Sequence, residues 1–334
     1  MRSLRRITSV ALVLLLGVCL LSGSVFAQDA EKPMGEAQAP AVSLVDPARD
    51  GDNSTGAVEV NFELNVALPE KVDVGKPFAV RMTSSGVLRD VTIHWMGHTI
   101  TPALSVWNDK HIALALLGSD VLNAKPGEQE LILSADIDGI KNVIRKTVVL
   151  VGKKYKDQKL TVAKKMVTPP KSVYDKIKAD RKEVKVALGT VTTERKWFLP
   201  FERPVKGITT SQYGLRRILN GKPKNPHRGL DFRAAVGTDI HAPAAGTVVL
   251  VGEHYYAGNS VYIDHGNGVV SMYFHLSKSL VKVGDKVKKG DVFGLTGKTG
   301  RITGPHLHWS VSVGGMLVDP AVLLESNVDS LLGK

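Results

Sequence analysis

The chain has 334 residues, of which 43% are hydrophobic and 23% are charged, so it is long enough for two ordinary domains with hydrophobic cores. Lysine and arginine outnumber aspartate and glutamate by 44 to 32, a formal net charge of +12. The single cysteine, Cys19, lies in an N-terminal apolar segment. Disulfide bonds are therefore excluded as a means of stabilising the rest of the chain.

The N-terminus has the order of features typical of a secretory signal. Three arginines lie within residues 1–6, an apolar run extends from Ile7 to Leu21, and small residues follow up to Ala27. We expect residues 1–27 to be removed by cleavage after Ala27. The run is shorter than the roughly 20 residues that span a bilayer, and an uncleaved N-terminal anchor is the alternative. Residues 28–57, rich in small and polar residues, are expected to be a disordered leader.

Hydrophobic and polar residues alternate from Val58 to Leu68, which predicts a half-buried strand. Short strand-like runs continue to Val151, and Pro126-Gly127 and Asp138-Gly139 mark turns between them. Strands at this spacing are typical of a small β-sandwich. We therefore expect residues 58–151 to form an immunoglobulin-like β-sandwich domain.

Residues 152–196 are predicted to be a basic, partly helical connector, because apolar residues recur at helical spacing after Pro169-Pro170. The stretch Lys141–Lys185 contains fifteen lysines and arginines but only four acids, a local charge of +11. One interpretation is a solvated linker. The other is attraction to anionic envelope polymers or to a membrane surface. Nucleic acid is not an expected partner, because the stretch lacks interleaved aromatic residues and follows a secretory signal.

Residues 197–325 are glycine-rich and strand-like, and are predicted to form a second β-domain followed by a tail at 326–334. Seven of the ten histidines lie between His227 and His308. Because residues two apart in a strand share a face, His306 and His308 should project together, opposite an apolar row. The same alternation around residue 275 groups three polar residues on one face of a second strand, namely Ser271, Tyr273 and His275.

The motif His-Arg-Gly-Leu-Asp adds His227 and Asp231 to these imidazoles. Several imidazoles and a carboxylate on aligned faces, in a region without cysteine, predict a metal site. Zn²⁺ fits best, because catalytic zinc sites use three protein ligands of this kind and keep one position open.

Five motifs together are similar to the LytM/lysostaphin family of zinc metallopeptidases, which cleave peptide bonds in bacterial peptidoglycan. They are His-Arg-Gly-Leu-Asp-Phe (227–232), Ala-Pro-Ala-Ala-Gly-Thr-Val (242–248), Tyr-Ile-Asp-His-Gly-Asn-Gly (262–268), Met-Tyr-Phe-His-Leu (272–276) and Thr-Gly-Pro-His-Leu-His-Trp (303–309). The resemblance covers about residues 200–324. A looser resemblance links the preceding β-domain and connector to secreted members of the family.

The resemblance implies an antiparallel β-domain with one zinc ion in a groove, held by His227, Asp231 and His308. It implies catalytic roles for His275 and His306, and leaves open which of them is the general base. Three further residues are weaker candidates for substrate binding, namely Asn220, His254 and Tyr273. The signal-like N-terminus predicts an exported protein of the periplasm or cell envelope, and the resemblance implies that its partner is peptidoglycan.

Two other functions compete with the endopeptidase. A non-enzymatic activator of another wall hydrolase should lack one or more of the five metal and catalytic residues, and this chain has all five. Residues 283–291 resemble the hairpin scaffold of a lipoyl- or biotinyl-type carrier, but no acceptor lysine lies at the nearest hairpin tip. The sequence leaves open which cross-link is cleaved, whether the N-terminal domain is inhibitory, and what the oligomeric state is.

Overall fold

The computed structural model describes residues 62–190 and 192–333. The predicted signal segment (1–27), the leader (28–57) and the first residues of the strand predicted from Val58 lie outside the described residues. Within the described ranges, no helix is long and apolar enough to span a membrane.

Nine strands form the N-terminal part of the described chain, and most of them pair in antiparallel fashion. They are β1 (Leu64–Ala67), β2 (Lys71–Asp73), β3 (Phe78–Ser84), β4 (Leu88–Trp95), β5 (His98–Ile100), β6 (Ala103–Trp107), β7 (Lys110–Leu117), β8 (Gly127–Ile137) and β9 (Ile140–Val151). One sheet has the order β1-β3-β7-β6 and the other β2-β9-β8-β4-β5. Their facing side chains share one core, in which Phe78 packs edge-on against the fully buried Trp95 at 5.3 Å. The predicted β-sandwich is thus observed.

The connector contains strand β10 (Asp157–Leu160), helix α1 (Lys164–Val167), a 3₁₀ turn (Lys171–Val173) and helix α2 (Tyr174–Leu188). The Pro169-Pro170 pair separates α1 from α2, because proline cannot continue a preceding helix. Helix α2 is capped at its C-terminal end by Gly189. It buries Ile177 and Ala187. The expectation of a partly helical connector is confirmed.

The C-terminal part is an antiparallel β-structure built around one large sheet, as predicted. Its elements are β11 (Thr209–Ser211), β12 (Arg216–Leu219), β13 (Lys222–Pro223), β14 (Leu230–Arg233), β15 (Asp239–His241), β16 (Gly246–His254), β17 (Gly258–Asp264), β18 (Val269–Ser279), β19 (Lys286–Val287), β20 (Val292–Thr296), β21 (His306–Val313), β22 (Met316–Val318), α3 (Pro320–Glu325) and α4 (Val328–Leu331). The large sheet runs β11-β14-β21-β18-β17-β16-β19, with β20 paired to β18 and β15, and β22 paired to β21.

Several contacts join the parts of the chain. Strand β10 of the connector pairs in parallel with β12. The outward side chains of the first N-terminal sheet, Ala79, Leu114 and Leu116, belong to the same buried cluster as the C-terminal sheet. Residues 326–334, predicted as a tail, contain α4 and contribute the buried Leu331 and Leu332 to that cluster. The described residues belong to one compact unit, and the division at residues 151 and 196 stays a prediction.

Candidate metal centre

Two neighbouring strands position the centre. In the antiparallel pair β14/β21, Asp231 lies directly opposite His308. On β21 the alternation is strict, because Leu307 and Trp309 are fully buried in the core while His308 and Ser310 project from the other face. His227 precedes β14 and is held by backbone hydrogen bonds to Leu215 and Gly214. The metal-ligand candidates from two distant motifs are therefore brought together by one strand pairing.

Three ligand atoms converge on one point. His227 Nε2 and His308 Nδ1 lie 3.0 Å and 2.7 Å from the same Asp231 oxygen, Oδ1, and 3.0 Å from each other. All three residues are buried, with at most 8% of their surface exposed. In a tetrahedral zinc site with bonds of about 2.0–2.1 Å, neighbouring ligand atoms lie about 3.3 Å apart. The triplet therefore needs only a small outward shift to hold such an ion.

The second nitrogen of each imidazole shows which nitrogen is free for a metal. His227 Nδ1 lies 2.8 Å from the carbonyl of Gln212, which can only accept, so Nδ1 carries the proton and Nε2 has the lone pair. Ser310 donates its own proton to the carbonyl of Arg228 at 2.8 Å, so its oxygen accepts from His308 Nε2 at 2.7 Å. His308 Nδ1 is then unprotonated. Such outer hydrogen bonds fix the tautomer of metal-binding histidines, and the residues fit a zinc ion.

The charge states also suit a metal. Burial alone would raise the pKa of Asp231, but the electrostatic influence of the His227 and His308 imidazoles holds that pKa well below its usual value. Arg217 donates to the second carboxylate oxygen, Oδ2, at 2.7 Å and leaves Oδ1 directed at the imidazoles. Burial lowers the pKa of His308 to about 3. At neutral pH the carboxyl group is therefore ionised and the His308 imidazole is neutral, as metal ligands must be.

The two predicted catalytic histidines lie beside the triplet. The rings of His275 and His306 are 5.0 Å apart, and that of His275 is 6.2 Å from the ring of His308. Their Nδ1 atoms each lie 2.8 Å from a backbone carbonyl, of Thr299 and Gly304 respectively. Both Nε2 atoms are therefore free to accept a proton. Burial and the neighbouring His306 lower the pKa of His275 to about 4, so its ring is neutral at pH 7.

His275 reaches the metal face through a break in strand alternation. Phe274 lies opposite His308, and the two rings stack at 5.0 Å, so strict alternation would send His275 to the core side. Instead, His275 has a left-handed backbone (φ 67°), its N–H bonds to the carbonyl of Ala257, and the pairing of β18 shifts register nearby. The predicted grouping of His275 with Ser271 and Tyr273 on one face is therefore wrong.

Of the three weaker candidates, Tyr273 lies away from the centre. It is fully buried in the core and its hydroxyl is hydrogen-bonded to Ser271, so the structure does not support substrate contact. Asn220 uses both side-chain polar atoms to bind the backbone of Val162 in the connector. His254 is buried beside the centre's groove, bonded to Ser260 and to Glu183 of α2.

A groove of about 1140 Å³ leads to the metal centre. Its walls include Ile100 and Asp120 of the N-terminal part, Val184 and Leu188 of α2, and Phe274 of the large sheet. A second cavity, of about 30 Å³, lies between the connector and the two predicted catalytic histidines, and it is large enough for one or two water molecules. Its lining includes Leu160, Val162, Asp231, His275 and His306.

Two residues of the site lie outside the motifs that were identified in the sequence. Arg217, the partner of Asp231, lies on β12 in a stretch without a recognisable pattern. Ser310 could have been found from its spacing, because it lies two residues after His308 on the same strand face.

Comparison with known proteins agrees with this geometry. Residues 225–320 match the model of Peptidase family M23. The chain is 50% identical over 94 residues to the peptidoglycan DD-endopeptidase ShyA of Vibrio cholerae, covering 28% of this chain and 22% of that protein. It is 41% identical over 127 residues to ShyC, a peptidoglycan DD-endopeptidase of the same organism, covering 37% and 29%. The matches thus span less than a third of these two relatives.

A crystal structure from Pseudomonas aeruginosa, described as an M23 peptidase, matches much more of the chain. It superposes with a TM-score of 0.55 at 32% identity, and the match covers 70% of this chain and 87% of that one. This match extends well beyond residues 225–320, and the residues of the candidate metal centre lie in or next to that range. The chain therefore belongs to peptidase family M23.

Proposed function

We propose that this protein is a zinc-dependent endopeptidase that hydrolyses peptide cross-links of bacterial peptidoglycan. The observation that carries the proposal is the convergence of three buried ligand atoms within 3.0 Å of one another, with two further imidazoles beside them. Family M23 supplies the reaction class. The substrate is inferred from the peptidoglycan DD-endopeptidases that share 41–50% identity with this chain.

His227, Asp231 and His308 would hold the zinc ion. When bound, zinc supplies a Lewis acid that polarises a peptide carbonyl and acidifies water. Arg217 keeps Asp231 ionised and oriented through its 2.7 Å bond to Oδ2. Ser310 keeps His308 in the tautomer whose Nδ1 lone pair faces the centre.

His275 and His306 would handle the protons of the reaction. Their Nδ1 protons are committed to backbone carbonyls, so each ring presents Nε2 to the substrate. One Nε2 accepts the proton of the attacking water and passes it to the departing amine. The other ring, once protonated, donates a hydrogen bond to the carbonyl oxygen as negative charge develops.

We further propose that the protein is exported to the cell envelope, on the basis of the signal-like order of residues 1–27, and that it binds anionic envelope surfaces. Five lysines of the connector, all exposed, support the second proposal: Lys153, Lys154, Lys156, Lys164 and Lys165. They are named the connector lysines below. Exposed cations attract anionic polymers or headgroups through a field that extends about 8 Å at physiological salt.

Digestion of purified wall sacculi by the zinc-loaded protein, with the released muropeptides identified by mass, tests the function. We expect soluble products from cleaved cross-links. His306→Ala should keep its zinc but lose about 10²–10⁴ in rate, because a proton-handling group is removed. His308→Ala should lose most of its zinc, since three ligands fall to two.

Two results would contradict the proposal. Equal zinc content in His306→Ala and His308→Ala would show that the ligand assignment within His-Leu-His is wrong. No product from a fully zinc-loaded parent protein would favour the non-enzymatic activator, which should then increase digestion by a second wall hydrolase.

A further inference from the structure

Arg301 lies in the segment between β20 and β21, at the edge of the metal centre. Its backbone N–H donates to the carbonyl of Tyr256 at 2.8 Å. The preceding Gly300 has φ +74°, and a Cβ there would collide with the backbone nitrogen of Gly258. Only glycine allows this close approach. The turn between β16 and β17 therefore holds the backbone of Arg301 in place.

The same segment fixes a catalytic histidine. The carbonyl of Thr299, two residues before Arg301, accepts the Nδ1 proton of His275 at 2.8 Å. Arg301 and His275 both line the large groove and both line the small cavity beside Asp231. The guanidinium is thus placed close to the atoms that are proposed to act on the substrate.

The guanidinium of Arg301 has a ring partner but no anion. It lies over the ring of Tyr256, with its Cζ 4.7 Å from the ring centroid. Within residues 62–190 and 192–333, its side chain makes no hydrogen bond and no ion pair. This ring contact uses no hydrogen bond, so the N–H donors at the edge of the planar group remain available. That edge matches a carboxylate, which it can bind through two parallel hydrogen bonds.

Two other arginines at this end of the groove are already neutralised. Arg217 is paired with Asp231 at 2.7 Å, and Arg228 is paired with Asp120 at 3.1 Å. Partial burial and the nearby Arg217 lower the pKa of Arg301, which indicates that its positive charge is poorly compensated. Arg301 therefore contributes an uncompensated positive charge beside the metal centre, held in place and partly shielded from water.

We propose that Arg301 binds a carboxylate of the substrate peptide close to the cleaved amide and so determines specificity. The inference rests on the proposed peptidase function and deepens it, because it names the substrate class as peptides with a free carboxylate near the scissile bond. A guanidinium without an ion-pair partner, in a groove walled partly by aromatic and aliphatic side chains, suits the flat, singly charged carboxylate of a peptide.

Three synthetic peptides test the proposal, all containing the same D-alanyl amide bond. The first has a free carboxylate on the carbon next to the amide nitrogen, and the second has a carboxamide there. The third carries its carboxylate on the residue before the D-alanine. Calorimetry on the zinc-loaded protein measures the affinity for each peptide, and kcat and KM are measured for each that is cleaved.

We expect the parent protein to bind one of the two carboxylate peptides about 10–100 times more tightly than the carboxamide peptide, as charge-assisted hydrogen bonds imply. Comparison of the first and third peptides shows on which side of the amide the carboxylate is recognised. Arg301→Gln should lose this preference and bind the carboxamide peptide like the parent. Arg301→Lys should keep part of it, because lysine retains the charge but not the planar donors.

Lys298→Gln is the matched control, because Lys298 is an exposed cation in the same loop. It should keep the parent's preference. The proposal is overturned if the parent binds all three peptides with equal affinity or binds none of them measurably. It is also overturned if Lys298→Gln loses the preference for the carboxylate peptide as Arg301→Gln does. If the parent binds the carboxylate peptides selectively but cleaves neither them nor sacculi, the proposed hydrolysis fails while the role of Arg301 stands.

Discussion

Replacing Ser310 by alanine tests whether the outer hydrogen bonds prepare the metal centre. The Ser310 hydroxyl is 2% exposed, accepts from His308 Nε2 at 2.7 Å and donates to the Arg228 carbonyl at 2.8 Å. In Ser310→Ala the buried His308 Nε2 and the partly buried Arg228 carbonyl each lose their partner, at a cost of about 1–3 kcal/mol for the buried group and less for the carbonyl. His308 is also free to protonate Nδ1, the atom that faces the centre. We expect zinc affinity to fall about 10–100-fold, as for other partners of metal-binding histidines.

Ser312→Ala is the matched control for this prediction. Ser312 lies on the same face of β21, is fully buried, and its hydroxyl has no hydrogen-bond partner in the described part of the chain. Its replacement should leave zinc affinity unchanged. Competition with a chromogenic chelator measures the affinity, and urea unfolding of the metal-free variants measures the accompanying loss of stability. The reasoning is refuted if Ser310→Ala binds zinc like the parent, or if Ser312→Ala loses as much.

Two further predictions concern the basic connector and a buried histidine. Replacing the five connector lysines by glutamine should weaken binding to sacculi or anionic vesicles at low salt, as high salt does to the parent, while hydrolysis of a small soluble peptide is unchanged. Undiminished binding of this variant at low salt would leave the stretch as a solvated linker. Burial lowers the pKa of His265 to about 4. Between about pH 6.5 and pH 4 the unfolded state therefore binds more protons than the folded state, and the free energy of unfolding decreases as the pH falls. Over this range the contribution of His265 is roughly 3 kcal/mol. In His265→Gln, urea unfolding at pH 7 and pH 4.5 should show a correspondingly smaller loss; an equal loss would contradict the assignment.

Alternation along strands was sufficient to predict much of the architecture. Strand-like runs between Val58 and Val151 predicted the strands of the sandwich, and the spacing of His306 and His308 predicted two imidazoles that project together. These predictions succeed because side-chain direction in a regular strand depends only on position. The helix after Pro169-Pro170 is predictable for a similarly local reason.

Features that depend on distant contacts could not be predicted. His275 leaves the alternation because its backbone bonds to Ala257 and its side chain bonds to Thr299, contacts that no local pattern reveals. The pairing of polar β10 with β12 joins residues about 60 positions apart. Tyr273 looked like a groove residue only because regular alternation was assumed up to His275.

The groove described above has walls from three separated regions of the chain. The proposed metal ligands, His275 and His306 all lie within residues 225–320, whereas Asp120 and Leu188 precede this range. Substrate selectivity can therefore change through substitutions more than a hundred residues away in sequence from the reacting groups. Two proteins with identical catalytic segments but different N-terminal sandwiches should cleave different sets of peptides, and transfer of activity between relatives should require transfer of these walls as well.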